Sequence, residues 1–92
     1  MIGTFKSKAL KKYWLNNDLT ILPPDDVERI RRKLQALDKA KRPSDLKIPG
    51  FDFHELKGNR KGTYSITVRS NWKITFSFDN ENAIDIDFED YH

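Results

Sequence analysis

The apolar residues of this chain change period once along its length, and that change constrains the fold more than any other feature. In "PPDDVERIRRKLQALDKAKR", Val27, Ile30, Leu34 and Leu37 recur at intervals of three and four, the stripe of an amphipathic helix. Pro24 suits its first turn, Asp25, Asp26 and Glu28 favour its positive end, and Lys39, Lys41 and Arg42 favour its negative end. A shorter helix is predicted over Ser7–Asn16 from Leu10, Tyr13 and Trp14, with "NND" to end it. After Pro43 the period drops to two. "TYSITV" alternates Tyr64, Ile66 and Val68 with Thr63, Ser65 and Thr67, and "WKITFSF" alternates Trp72, Ile74, Phe76 and Phe78 with Lys73, Thr75 and Ser77.

The link Arg69-Ser70-Asn71 is short enough for a tight antiparallel connection, and "DNEN" at 79–82 supplies a second turn. The last segment, "AIDIDFEDYH", reads as a strand with Ile84, Ile86 and Phe88 inward and Asp85, Asp87 and Glu89 facing solvent. "FDFHEL" reads as a further strand ending at the turn "KGNRKG", Ile2–Phe5 as an added one, and "KAKRPSDLKIPG" as a loop. Helices first and a meander afterwards define an α+β class: two N-terminal helices packed on one face of a small twisted, mainly antiparallel sheet. A strand over 83–90 would carry Asp90, Tyr91 and His92 to a fixed place at the edge of that sheet.

The 92 residues suit one domain, 1–92, and 34% charged residues leave a strongly solvated surface. There is no cysteine, which excludes disulfides and thiolate metal sites and fits a reducing compartment, so the expectation is cytoplasmic. The N-terminus has no apolar signal-like core, and no apolar run approaches the roughly 18 residues that cross a bilayer. The net charge of +3 hides an asymmetry: residues 1–73 hold all 17 Lys and Arg against 8 acidic residues, whereas 74–92 hold 6 acidic residues and no Lys or Arg. Such a body can attract a polyanion such as nucleic acid or an acidic protein, although a lysine-rich surface also serves solubility alone.

The chain has two histidines, His54 in "FDFHEL" and His92 in the terminal "DYH". Two imidazoles do not make a metal site, and the alternating Asp85, Asp87, Glu89 and Asp90 read as a solvated strand face rather than a ligand loop. Lys57, Arg60 and Lys61 surround Gly58 and Gly62, and Arg69 and Lys73 bracket the hairpin link. Cations converging from adjacent turns suit a phosphate, and an ordinary basic turn has the same residues. No GxxxxGK[ST] is present, so nucleoside triphosphate hydrolysis is not suggested. Cleaving RNA without a metal needs a base for the 2′-hydroxyl, cations for the phosphorane and an acid for the leaving 5′-oxygen. Imidazoles, carboxylates, Lys and Arg permit that chemistry here without singling it out.

The run "DLKIPGFDFHELKGNRKGTYSITVRSNWKITFSF", "RKLQALDKA" on the long helix, "MIGTF" at the start and the terminal "DYH" resemble the HigB-type toxins of bacterial type II toxin–antitoxin modules, within the RelE superfamily. The similarity covers nearly the whole chain. It implies a microbial-RNase-like, RelE-type fold and a ribosome-dependent mRNA endonuclease that cuts codons in the ribosomal A site and needs no cofactor or metal. By the matching motifs it assigns proton transfer to His54, Asp90 and His92, and substrate orientation or base stacking to Tyr91. Lys57, Arg69 and Lys73 would hold phosphate, with Arg60 in the same RNA-binding set. Position 73 is Lys where the family pattern usually has Arg, so a bidentate contact becomes a point charge.

The implied partners are a HigA-type helix-turn-helix antitoxin, the ribosome with its 16S RNA, and mRNA. Operator DNA would be met only through the antitoxin, and no membrane is involved. Two other functions compete. One is a homologue that binds ribosome or antitoxin without cutting RNA; the other is gyrase poisoning, to which neither "DYH" nor "LKGNRKG" points.

Overall fold

The computed structural model describes residues 1–90. Tyr91 and His92, two of the residues singled out above, lie outside that range. The long stripe forms helix α2, Val27–Lys39, entered through a single 3-10 turn at Pro24–Asp26. Ile30, Leu34 and Leu37 are fully buried and Val27 half-buried, as the spacing requires. Helix α1 runs Lys8–Asn16. Ser7 caps it, its Oγ accepting the Leu10 N–H at 3.1 Å, and Asn17 closes it in a left-handed conformation at φ 56°.

Four antiparallel strands follow in sheet order β1 (His54–Glu55), β2 (Tyr64–Arg69), β3 (Trp72–Asp79) and β4 (Asn82–Asp90). Leu10, Ile30, Leu34 and Leu37 of the helices pack with Ile66, Ile74, Phe76 and Ile86 of the sheet into one core. Asn80 and Glu81, at φ 50° and 69°, form the two-residue link between β3 and β4; two consecutive positive φ values make a turn whose twist matches the strands it joins. The N-terminal segment lies parallel to β4, with bridges at Ile2↔Ala83 and Phe5↔Ile86, and so covers that edge of the sheet. Gly3 passes so close that a Cβ there would stand 3.2 Å from both the Ala83 carbonyl oxygen and Ile84 Cγ2. Among the described residues, no helix is long and apolar enough to cross a membrane.

Three expectations change. The strand expected over "FDFHEL" shortens to His54–Glu55, because Gly50 and Asp52 turn the chain through left-handed conformations at φ 88° and 51°. The loop expected at residues 39–50 contains a 3-10 turn, Pro43–Leu46, that buries Leu46 completely. In β4 the alternation breaks at Asp85, φ 53°: Thr75 pairs with Asp87 but Ser77 with Ile84, so one extra residue bulges from the ladder. The bulge exchanges the faces on its N-terminal side. Ala83, opposite Phe78, is the buried residue, and Ile84, expected inward, sits opposite Ser77 on the other face.

Candidate active site

Strand parity turns Lys73 and Thr75 away from the helices, and the ladder places Thr67 and Glu89 on either side of Lys73. The ammonium of Lys73 donates to Thr67 Oγ1 at 2.8 Å, so the Thr67 hydroxyl directs its own proton onward to Asp52 Oδ2 at 3.3 Å. The other oxygen of Asp52 lies 2.9 Å from His54 Nε2, and Lys73 Nζ stands 3.9 Å from Oδ2. Asp52 thus accepts from two residues and lies within ion-pair distance of a third. The hydrogen bond from His54 holds its carboxyl below the usual aspartate range, and Thr67 and Lys73 act in the same direction. The imidazole is 63% exposed and the Lys73 side chain 16%, so one reaches solvent while the other is largely enclosed.

A second cluster occupies the same face. Arg60 grips Glu89 with two parallel bonds, Nη1 to Oε1 at 3.0 Å and Nη2 to Oε2 at 2.8 Å, and Thr75 Oγ1 donates to Glu89 at 2.5 Å. Arg60 first, with Thr75 adding to it, holds the Glu89 carboxyl below its ordinary range despite partial burial. Glu89 therefore does not face solvent as alternation suggested; it anchors the turn Gly58–Arg60 to β4. Phe88 does pack inward, its ring 4.9 Å from that of Trp72.

Arg69 belongs to a different row. A bulge between Thr67 and Arg69 sets it opposite Trp72, which pairs in turn with Asp90. Arg69 Nε and Nη2 donate to Asp26 Oδ1 and Oδ2 at 2.8 and 3.2 Å, joining the end of β2 to the start of α2. Asp26 is fully buried, and its hydrogen bonds from Arg69 hold its carboxyl below the ordinary range. Lys57 is exposed at the rim, in a shallow cavity it shares with Glu55, Gly58 and Lys61. A wider cavity of about 460 Å³ lies against α2, lined by Arg32, Lys39 and Phe51, and contains none of the candidate catalytic or RNA-binding residues.

Of the predicted set, the open face brings together His54, Lys73 and Arg60. Arg69 and Asp90 share the adjacent row at the same end of the sheet, and Lys57 stands apart. Sequence reasoning missed Asp52, Thr67 and Asp26 as partners of these residues. Thr67 was legible from parity, one strand from Lys73, whereas Asp26 meets Arg69 across 43 positions and no local pattern announces it. The arrangement can do proton transfer at an exposed imidazole steadied by a carboxylate, beside an enclosed cation suited to an anionic group.

Relatives share more than this fold. The chain is 45% identical to the Proteus vulgaris protein named Endoribonuclease HigB, over the whole of both chains. It is 38% identical over 76 residues to Toxin HigB-1 of Vibrio cholerae serotype O1, covering 80% of each. A YoeB–YefM toxin–antitoxin complex from Staphylococcus aureus contains a chain that superposes with a TM-score of 0.66 at 18% identity, covering 100% of this chain and 98% of the other; it shows the fold alone. The family described as the RelE-like toxin HigB of type II toxin–antitoxin systems matches residues 3–92, and the chain belongs to that family.

Proposed function

We propose that this toxin is a ribosome-dependent mRNA endonuclease that cuts codons in the A site by 2′-hydroxyl attack, without a metal, and so arrests translation. The observation that carries the reading is the open sheet face, where an exposed imidazole and an enclosed ammonium are joined through Asp52 and Thr67. The name of the Proteus vulgaris relative supplies the reaction class.

In this reading His54, Asp90 and His92 share the two proton transfers, one taking the 2′-hydroxyl proton and another returning a proton to the departing 5′-oxygen. Tyr91 orients the substrate or stacks on a base. Lys73 neutralises the charge that grows on the phosphorane, and Lys57 adds a second cation at the rim. Arg69 and Arg60 are each spanned by a carboxylate, so their contribution is the field left after Asp26 and Glu89 are counted. The basic body contacts ribosomal RNA, which makes ribosome binding weaken as salt rises. A helix-turn-helix antitoxin of the HigA type neutralises the toxin and carries its only link to operator DNA; the family's place in toxin–antitoxin systems supports the first half of that statement.

The test is to incubate purified toxin with one messenger, with and without translating ribosomes, and to map RNA 5′ ends. New ends in codon phase, present only with ribosomes and lost in Asp90→Asn and His92→Gln proteins that melt like wild type, are expected. Cleavage of bare RNA to the same extent contradicts ribosome dependence. Arrested ribosomes without new ends favour the non-cleaving alternative.

A further inference from the structure

The hydrogen-bond directions around Asp52 fix more than its own position. A carboxylate only accepts, so the 2.9 Å contact between Asp52 Oδ1 and His54 Nε2 requires the proton to sit on Nε2. Its other oxygen is already engaged by the Thr67 hydroxyl, whose orientation is dictated by Lys73 donating to it from behind. The backbone is pinned as well: Thr67 N–H donates to Phe51 O at 2.8 Å, and residue 52 holds a left-handed φ of 51°, a conformation that Asp and Asn adopt more readily than other side chains. Lys73 donates to Thr67, and Thr67 and His54 in turn donate to the one carboxylate. The lone pair left over is on His54 Nδ1.

We propose that Asp52 is a positioning residue that holds His54 in its Nε2–H tautomer, leaving Nδ1 as the atom that exchanges a proton with substrate. The catalytic part of this statement rests on the reading of His54 given under Proposed function; the tautomer part does not. When Nδ1 takes a proton the ring becomes an imidazolium, and the proton that Nε2 already shares with Asp52 stays where it is, so the carboxylate compensates the new charge without itself being protonated. Thr67 and Lys73 hold the second carboxylate oxygen, so Oδ1 stays aimed at the ring.

Asp52→Asn separates this role from folding. Asn keeps the shape and tolerates the left-handed backbone, but an amide both accepts and donates, so it pairs with either tautomer. Proton–nitrogen correlation spectra of the full chain labelled in histidine, recorded above the ordinary imidazole range, read the tautomer of His54 directly, and His54→Ala assigns the signal. Wild type is expected to show Nε2 protonated, and Asp52→Asn a mixture. Cleavage on programmed ribosomes is expected to lose about tenfold or more in kcat with KM unchanged, because the variant loses both the fixed tautomer and the charge that stabilises the imidazolium. A wild-type ring protonated on Nδ1, or the same single tautomer in both proteins, overturns the positioning role. So does undiminished kcat in Asp52→Asn when His54→Ala is inactive. If His54→Ala cleaves like wild type, the functional reading of His54 fails instead, and the spectra still decide whether Asp52 sets the tautomer.

Discussion

Strand β3 offers opposite goods on its two faces. Toward the helices it turns Ile74 and Phe76, neither with any exposed surface, and the residues around them are held by area and close packing. Away from the helices it turns Lys73 and Thr75, held by directed bonds to Thr67 and Glu89. The first face tolerates neither a loss of volume nor an unpaired charge; the second is set by donors and acceptors whose geometry a ligand can exploit. Stability and chemistry therefore lie within one residue of each other in sequence and on opposite sides of the sheet in space.

Substitutions can break or sharpen that division. Phe76→Ala should have the largest effect on stability, about 3–5 kcal/mol, from lost transfer energy and the cavity left at the centre of the core. Urea unfolding measures it, and a loss under about 1 kcal/mol would mean that the helix-facing side does not carry the stability assigned to it.

Asp26→Asn comes next, because it weakens the tie between β2 and α2 and leaves Arg69 without its counter-charge. Its effect should depend on pH in a definite sense. The folded-state carboxyl is held below its ordinary value, so the wild-type contribution is complete above the unfolded value of about 3.9 and is lost as pH falls through the lower folded one. Glu89, also held low, adds a loss of the same sign in wild type and variant alike. Urea midpoints measured down a pH series should show the gap between wild type and Asp26→Asn constant at neutral pH and closing in acid. A gap that does not change with pH would show that the pair contributes by shape rather than charge.

Thr75→Val should be smaller, about 1 kcal/mol, since one hydrogen bond to Glu89 is removed and the buried volume kept. Its melting point should fall slightly while Phe76→Ala melts far lower. Equal losses would blur the two faces.

How much of this was legible in the sequence follows from the range of the interaction. The period of three to four in Val27–Leu37 and of two in Tyr64–Phe78 survives folding because each is decided by neighbours a turn or a residue away, and both appear in the structure as expected. The β4 alternation failed for Ile84 because a single bulge at Asp85 resets parity, and nothing in "NAIDIDFED" marks which residue will be extra. Glu89 looked like a solvent residue for a related reason. Its role is defined by Arg60, 29 positions away, and by a turn whose docking onto the sheet is a tertiary event. The site was half visible: His54, Lys73 and Arg60 were named from residue type and motif, but the carboxylate between the first two was not. Asp52 stood two positions before His54 and read as part of a strand, until the left-handed backbone at that residue turned it into a partner for both neighbours.

The proposed cleavage uses His54 and Lys73 on the open face, with Asp90 and Arg69 in the adjoining row at the end of the sheet, while the buried Ile74 and Phe76 only support it. The most direct measurement is the yield of new mRNA 5′ ends produced on translating ribosomes by His54→Ala, a substitution at an exposed position, alongside its melting temperature. A loss of about 10²-fold or more with an unchanged melting temperature is the predicted result. Full cleavage by a well-folded His54→Ala protein would contradict it.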